Sequence, residues 1–140
     1  EAVHFIQMFA RPFMFSASLP PSNVATVLAC LDVLEQEPER VERVNAIAAR
    51  VRSELRTMGY NIGETETPII PIIIGDMMKA LEAWKVFFEA GIYLNVALPP
   101  SVPPELSLLR TSYMATHTDE QVDRVLEVFQ RVKGLVHAGG

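Results

Sequence analysis

The chain has 140 residues, the length of a single domain, and with 49% hydrophobic and 21% charged side chains it can bury a core. A formal charge of −5 argues against a nucleic-acid binder, which needs a basic surface to neutralise phosphates. No stretch approaches the roughly 18 successive apolar residues of a membrane span.

Glu1 to Ile6 has neither the basic head nor the long apolar core of a secretion signal, so the start reads as processed, cloned away or part of something larger. Arg11 to Pro21 (RPFMFSASLPP) reads as a short extended segment entering a helix whose first turn accepts Pro20 and Pro21. Val24, Val27, Leu28, Leu31 and Leu34 recur at helical steps and predict a helix over about 21–37, stopped by Pro38. The single cysteine, Cys30, lies within this pattern and leaves no disulfide framework or thiolate zinc cluster. It reads as a buried structural thiol in a reducing, cytoplasmic setting.

A second helix follows, with Val41, Val44, Ala48, Val51, Leu55 and Met58 on one face and Gly59 as its C-terminal cap. The charged cluster from Glu37 to Arg43 reads as a solvated helix face. Pro68 to Gly75 is too short and too β-branched for a helix and predicts a strand, at an edge or a bulge because Pro71 cannot donate to a ladder. Asp76 caps a third helix, with Met77, Leu81, Trp84 and Phe88 as its expected buried stripe, ending near Gly91. Ile92 to Val96 is a second strand. Four prolines stiffen Leu98 to Pro104 into an irregular loop, and Leu108 to Met114 is a third strand, with Arg110 on the face opposite Leu109 and Thr111. Thr118 and Gln121 form a capping box for the final amphipathic helix. The order predicts an α+β fold, a small, mainly antiparallel three-stranded sheet with helices packed on one face.

His4, His117 and His137 are too scattered to hold a metal, and there is no nucleophile elbow or phosphate-cradling glycine loop. No catalytic constellation is contained within the chain. His117 reads as a local hydrogen-bonding residue. Two places remain. Ser16 to Ser18, before a proline-started helix, is either an ordinary cap or a set of hydroxyls for an anion. Arg110, the only Lys or Arg between Lys85 and Arg124, is either a structural ion-pair or exposed edge residue, or a bidentate clamp for a carboxylate.

The segments Arg11–Pro21, Thr67–Asp76 (TPIIPIIIGD), Gly91–Asn95 (GIYLN), Pro99–Pro103 (PPSVP), Leu109–Arg110 and Ala115–Thr118 (ATHT) resemble, in order and spacing, the C-terminal part of the α-oxoamine synthases. These are pyridoxal 5'-phosphate (PLP) acyltransferases of the aspartate aminotransferase fold type, among them serine palmitoyltransferase, aminooxononanoate synthase, glycine C-acetyltransferase and aminolevulinate synthase. The resemblance implies decarboxylative condensation of serine, glycine or alanine with an acyl-CoA thioester in a homodimer, the cofactor acting as electron sink. It implies that Arg110 binds the amino acid's carboxylate and that Ser16 contacts the cofactor phosphate across the dimer interface. The proline loop then walls the acyl entrance, with Leu98 where bacterial serine palmitoyltransferases tend to have arginine. Residues 1–20 become a linker from a PLP-binding large domain, and 21–140 the small C-terminal domain. The cofactor-anchoring lysine belongs upstream in the family, so this segment alone is expected to be inactive. The rival reading is a non-catalytic α+β module that senses a ligand or stabilises a catalytic partner by dimerisation.

Overall fold

The computed structural model describes residues 1–14, 17 and 19–137. The chain divides into two units, Glu1–Pro38 and Glu39–Gly140.

The first unit is helical, with α1 (Ala2–Phe9), α2 (Arg11–Met14) and α3 (Pro21–Gln36). The expected extended segment is therefore a helical turn at Arg11–Met14. Pro12 lies in that first turn, where a missing N–H removes no intrahelical bond, so a proline is tolerated there. The α3 helix begins at Pro21 and closes with Glu37 N donating to the Val33 carbonyl at 2.8 Å, just ahead of Pro38. Its periodic residues Val24, Val27, Leu28, Leu31 and Leu34 are all exposed, and α1 and α3 bury none of their residues. Cys30 is exposed as well, which corrects the expectation of a buried thiol: it sits on α3, none of whose residues is buried.

The second unit is an α+β layer built from α4 (Glu39–Thr57), β1 (Ile69–Ile73), α5 (Met77–Glu89), β2 (Asn95–Ala97), β3 (Leu108–Ser112) and α6 (Asp119–His137). The sheet order is β1-β3-β2, antiparallel throughout, with β3 in the centre. Ile47, Val51 and Leu55 of α4, Phe87 of α5, and Val122 and Phe129 of α6 are buried together with Ile70, Ile72 and Leu109 of the sheet. Phe129 sits between Phe87 and Tyr60, with ring centroids at 4.6 and 5.3 Å, and its carbonyl accepts the Tyr60 hydroxyl at 2.7 Å.

Local chemistry sets the element ends. The amide of Lys79 donates to the Asp76 carboxylate at 2.8 Å, the expected N-cap of α5. Thr118 and Gln121 exchange backbone-to-side-chain bonds at 3.0 and 3.3 Å, completing the capping box of α6. Gly59 and Gly91 take positive φ while Tyr60 and Ile92 donate back to Leu55 and Phe87, so α4 and α5 both end in Schellman turns. The second of these turns holds Ile92 in the helix cap, which is why β2 starts at Asn95 and not at Ile92. Pro104–Leu106 forms a 3-10 turn within the proline-rich stretch expected to be irregular. Beyond it the Ser107 carbonyl accepts from both Ile74 and Gly75, tying the loop's end to the end of β1.

One stripe is rotated from expectation. The buried residues of α5 are Ala80, Ala83 and Phe87, while Met77 and Phe88 are 45% and 57% exposed. The small alanine face lets the helix approach the core closely, and the bulkier neighbours form its rim: Trp84 stacks on Phe88 at 5.3 Å and donates its indole N–H to the Leu94 carbonyl at 3.2 Å.

Candidate functional site

Alternation along β3 buries Leu109 and Thr111 and turns Leu108, Arg110 and Ser112 to the other face of the sheet. That face also carries Ile69, Pro71 and Ile73 of β1 and Asn95 and Ala97 of β2. The register puts Pro71, Arg110 and Asn95 in one row, with the arginine in the middle. Arg110 is thus on the central strand, not at an edge. It is exposed and has no acidic partner among the described residues, whereas Arg43 pairs with Asp119 at 2.8 Å and Arg50 pairs with Asp123. A guanidinium so placed, with five donors and no internal acceptor, is free to take a carboxylate in two parallel bonds.

The row also accounts for Pro71. Ile73 N donates outward to the Asn61 carbonyl at 2.8 Å, so the backbone nitrogen two residues earlier faces the outer edge too, where the missing N–H removes no ladder bond. The same alternation turns the amide and carbonyl of Arg110 toward β2. Asn95 and Arg110 are therefore a hydrogen-bonded pair, with Cα atoms about 5.5 Å apart and side chains on the same face.

The other candidates lie elsewhere. Ser16 is outside the described residues. The Nδ1 of His117 accepts from Met114 N at 3.1 Å and its carbonyl accepts from Arg43 at 3.3 Å, so it fastens the turn before α6. It also lines a cavity of about 420 Å³ with Tyr93, Tyr113, Gln121 and Arg124, in which Arg124 is committed to the Ala90 carbonyl at 2.8 Å. Leu98 is half-buried at the start of the proline loop, one residue beyond β2. The arginine beside Asp119 holds that carboxyl below its ordinary range. No group of three or more His, Cys, Asp or Glu among the described residues could hold a metal.

Residues 1–129 match the family model described as aminotransferase class I and II. The chain belongs to that family. It falls with the α-oxoamine synthases: it is 41% identical over 135 residues to a serine palmitoyltransferase of Bacteriovorax stolpii, covering 96% of this chain and 32% of the relative. It is 34% identical over 140 residues to an 8-amino-7-oxononanoate synthase of Hahella chejuensis, covering 100% and 35%. A solved serine palmitoyltransferase from S. paucimobilis, whose structure contains PLP and myriocin, superposes with a TM-score of 0.78 at 34% identity, over 96% of this chain and 34% of that one. The chain spans about a third of the length of the relatives it matches.

Arg110 is a cation without an acidic partner among the described residues, on an uncovered sheet face. Lys79, Lys85 and Lys133 lie on α5 and α6, away from the three strands that carry that face, and Lys85 pairs with Glu89 at 3.7 Å. Asn95, opposite Arg110 on β2, enters the sequence reading only as the end of the GIYLN segment; a polar side chain between Leu94 and Val96 in a short apolar strand is the signal that marks it individually.

Proposed function

We propose that this chain is the small C-terminal domain (21–140), with its linker (1–20), of a PLP-dependent α-oxoamine synthase acting as a cytoplasmic homodimer. The complete protein condenses serine, glycine or alanine with an acyl-CoA thioester and releases carbon dioxide. The relatives' names support a serine palmitoyltransferase-like or aminooxononanoate synthase-like reaction.

The observation that carries the reading is Arg110, an exposed guanidinium without an acidic partner at the centre of the sheet's uncovered face. It binds the amino acid's carboxylate and so fixes the orientation of the bond that breaks when carbon dioxide leaves. Ile69, Pro71, Ile73 and Leu108 surround it with apolar surface, which thins the water around the pair when a substrate covers the face and strengthens the contact. PLP, when bound, supplies the electron sink for the decarboxylated carbon. Ser16 donates to the cofactor phosphate of the partner subunit. No lysine of this chain anchors the cofactor, so the segment by itself is inert.

The test is Arg110→Ala in the complete protein. Losing a charge-assisted bidentate contact should weaken amino-acid binding by about 30-fold or more, measured by calorimetry or by the cofactor's absorbance, with cofactor content unchanged. Undiminished amino-acid binding overturns the assignment. Ser16→Ala should raise the cofactor's dissociation constant by roughly tenfold, the loss of one hydrogen bond to a charged group; an unchanged constant removes that contact.

A further inference from the structure

A free arginine is a poor clamp unless something holds it. Its long side chain has many rotamers to lose on binding, and nothing acidic among the described residues restrains Arg110. Its two lateral neighbours are fixed by the sheet register, Pro71 on one side and Asn95 on the other. Pro71 presents a rigid apolar ring that offers no acceptor. Asn95 presents an amide, exposed and without a side-chain hydrogen-bond partner of its own among the described residues.

The geometry points to Asn95 as the positioning residue of the Arg110 site. This rests on the carboxylate-binding reading of Arg110 and adds to it the group that orients the arginine when a carboxylate is bound. A bidentate carboxylate engages two of the five guanidinium donors and leaves three to be satisfied. When a carboxylate is bound, the Asn95 Oδ1 accepts one of these from the side and holds the guanidinium plane. An amide suits this position because it accepts from the guanidinium without cancelling its charge, whereas an aspartate in the same place would pair with Arg110 and repel the substrate. Ser112, two residues along β3 on the same face, is the next polar neighbour, but at roughly 7 Å along the strand its short hydroxyl is less well placed than the residue directly opposite.

The experiment uses the complete protein and reads amino-acid affinity separately from turnover. Asn95→Ala should raise the amino acid's dissociation constant and KM by about tenfold, the worth of one hydrogen bond to a charged group, with kcat at saturation within about twofold. Asn95→Asp, nearly isosteric, should lose about a hundredfold, because it occupies the guanidinium and opposes the substrate's charge. Asn95→Gln, which keeps the amide, should recover most of the loss seen with alanine. In an Arg110→Ala background, Asn95→Ala should change affinity by less than about twofold, since the group it positions is gone.

Undiminished affinity in Asn95→Ala, while Arg110→Ala is impaired, overturns the inference and leaves the Arg110 assignment standing. Equal effects of Asn95→Ala with and without Arg110 also overturn it, because the residue would then not act through the arginine. An unimpaired Arg110→Ala overturns both. Circular dichroism and melting temperature establish that each variant folds; if the alanine variant does not, the comparison of Asn95→Asp with Asn95→Gln decides, and equal affinities in that pair sink the proposal.

Discussion

At the scale of single residues, two buried tyrosines show how hydrogen bonding separates similar side chains. Tyr60 donates to the Phe129 carbonyl at 2.7 Å, whereas Tyr113, with Thr111 nearby on the same strand face, has a buried hydroxyl with no hydrogen bond among the described residues. Tyr60→Phe should lower unfolding stability by about 1–2 kcal/mol, and Tyr113→Phe should change it by less than about 1 kcal/mol in either direction. Burial raises the pKa of both, that of Tyr113 to about 12. The unfolded chain therefore releases these protons first, near pH 10, and stability should be full below that point and fall as pH rises from about 10 toward 12. Tyr113→Phe should flatten part of that fall in denaturant titrations across the alkaline range; an identical slope in wild type and variant would show that the hydroxyl does not titrate in this window. Arg110 shows the limit of reading residues singly. Alternation in Leu108 to Ser112 puts it opposite the core residues, but whether it meets a carboxylate or stands free depends on the flanking strands, and strand order is a long-range property.

Elements are more legible in the sequence than their faces. Caps at Asp76 and Thr118, the stop before Pro38, the turn at Gly59 and the edge position implied by Pro71 are local signals, and each has its structural counterpart in a named bond or register. The face of α5 departs from expectation because hydrophobicity ranks Met77, Leu81, Trp84 and Phe88 above alanine, while close packing selects the small side chains. This makes a contrast between adjacent residues. Phe87, fully buried against Phe129, should cost about 3–5 kcal/mol when changed to alanine. Phe88→Ala, at an exposed rim position stacked on Trp84, should cost about 0.5–1.5 kcal/mol. Urea unfolding of the two variants checks the rotation; equal losses would put the stripe back where hydrophobicity alone places it. The start of β2 is displaced for a related reason: Ile92 reads as strand by composition, yet its amide completes the turn that ends α5.

Across the whole molecule, the α+β class and the antiparallel sheet are legible in the sequence, because alternation and turn chemistry are local and the sheet is small. What covers α1 and α3 is not, since an amphipathic pattern records that a face wants burial and not where its cover comes from. Val27, Leu28 and Leu31 of α3 are 56%, 57% and 51% exposed, and Val3, Phe5, Ile6, Met8 and Phe9 of α1 are exposed too. Apolar surface of this kind is costly in water at about 25 cal/mol per Å², and contiguous apolar patches mark interaction surfaces or aggregation sites. The 140-residue chain expressed alone should therefore self-associate in a concentration-dependent way that persists at high salt, because the drive is burial and not charge. The double substitution Leu28→Lys and Leu31→Lys keeps strong helix formers and sets each four residues before an acidic one, Asp32 and Glu35, so it should reduce association without loss of helical signal. Light scattering across a concentration series, with circular dichroism alongside, reads both. A wild-type chain that stays monomeric throughout, or a double variant that associates as strongly, would show that the exposed face of α3 is not what drives the chain together.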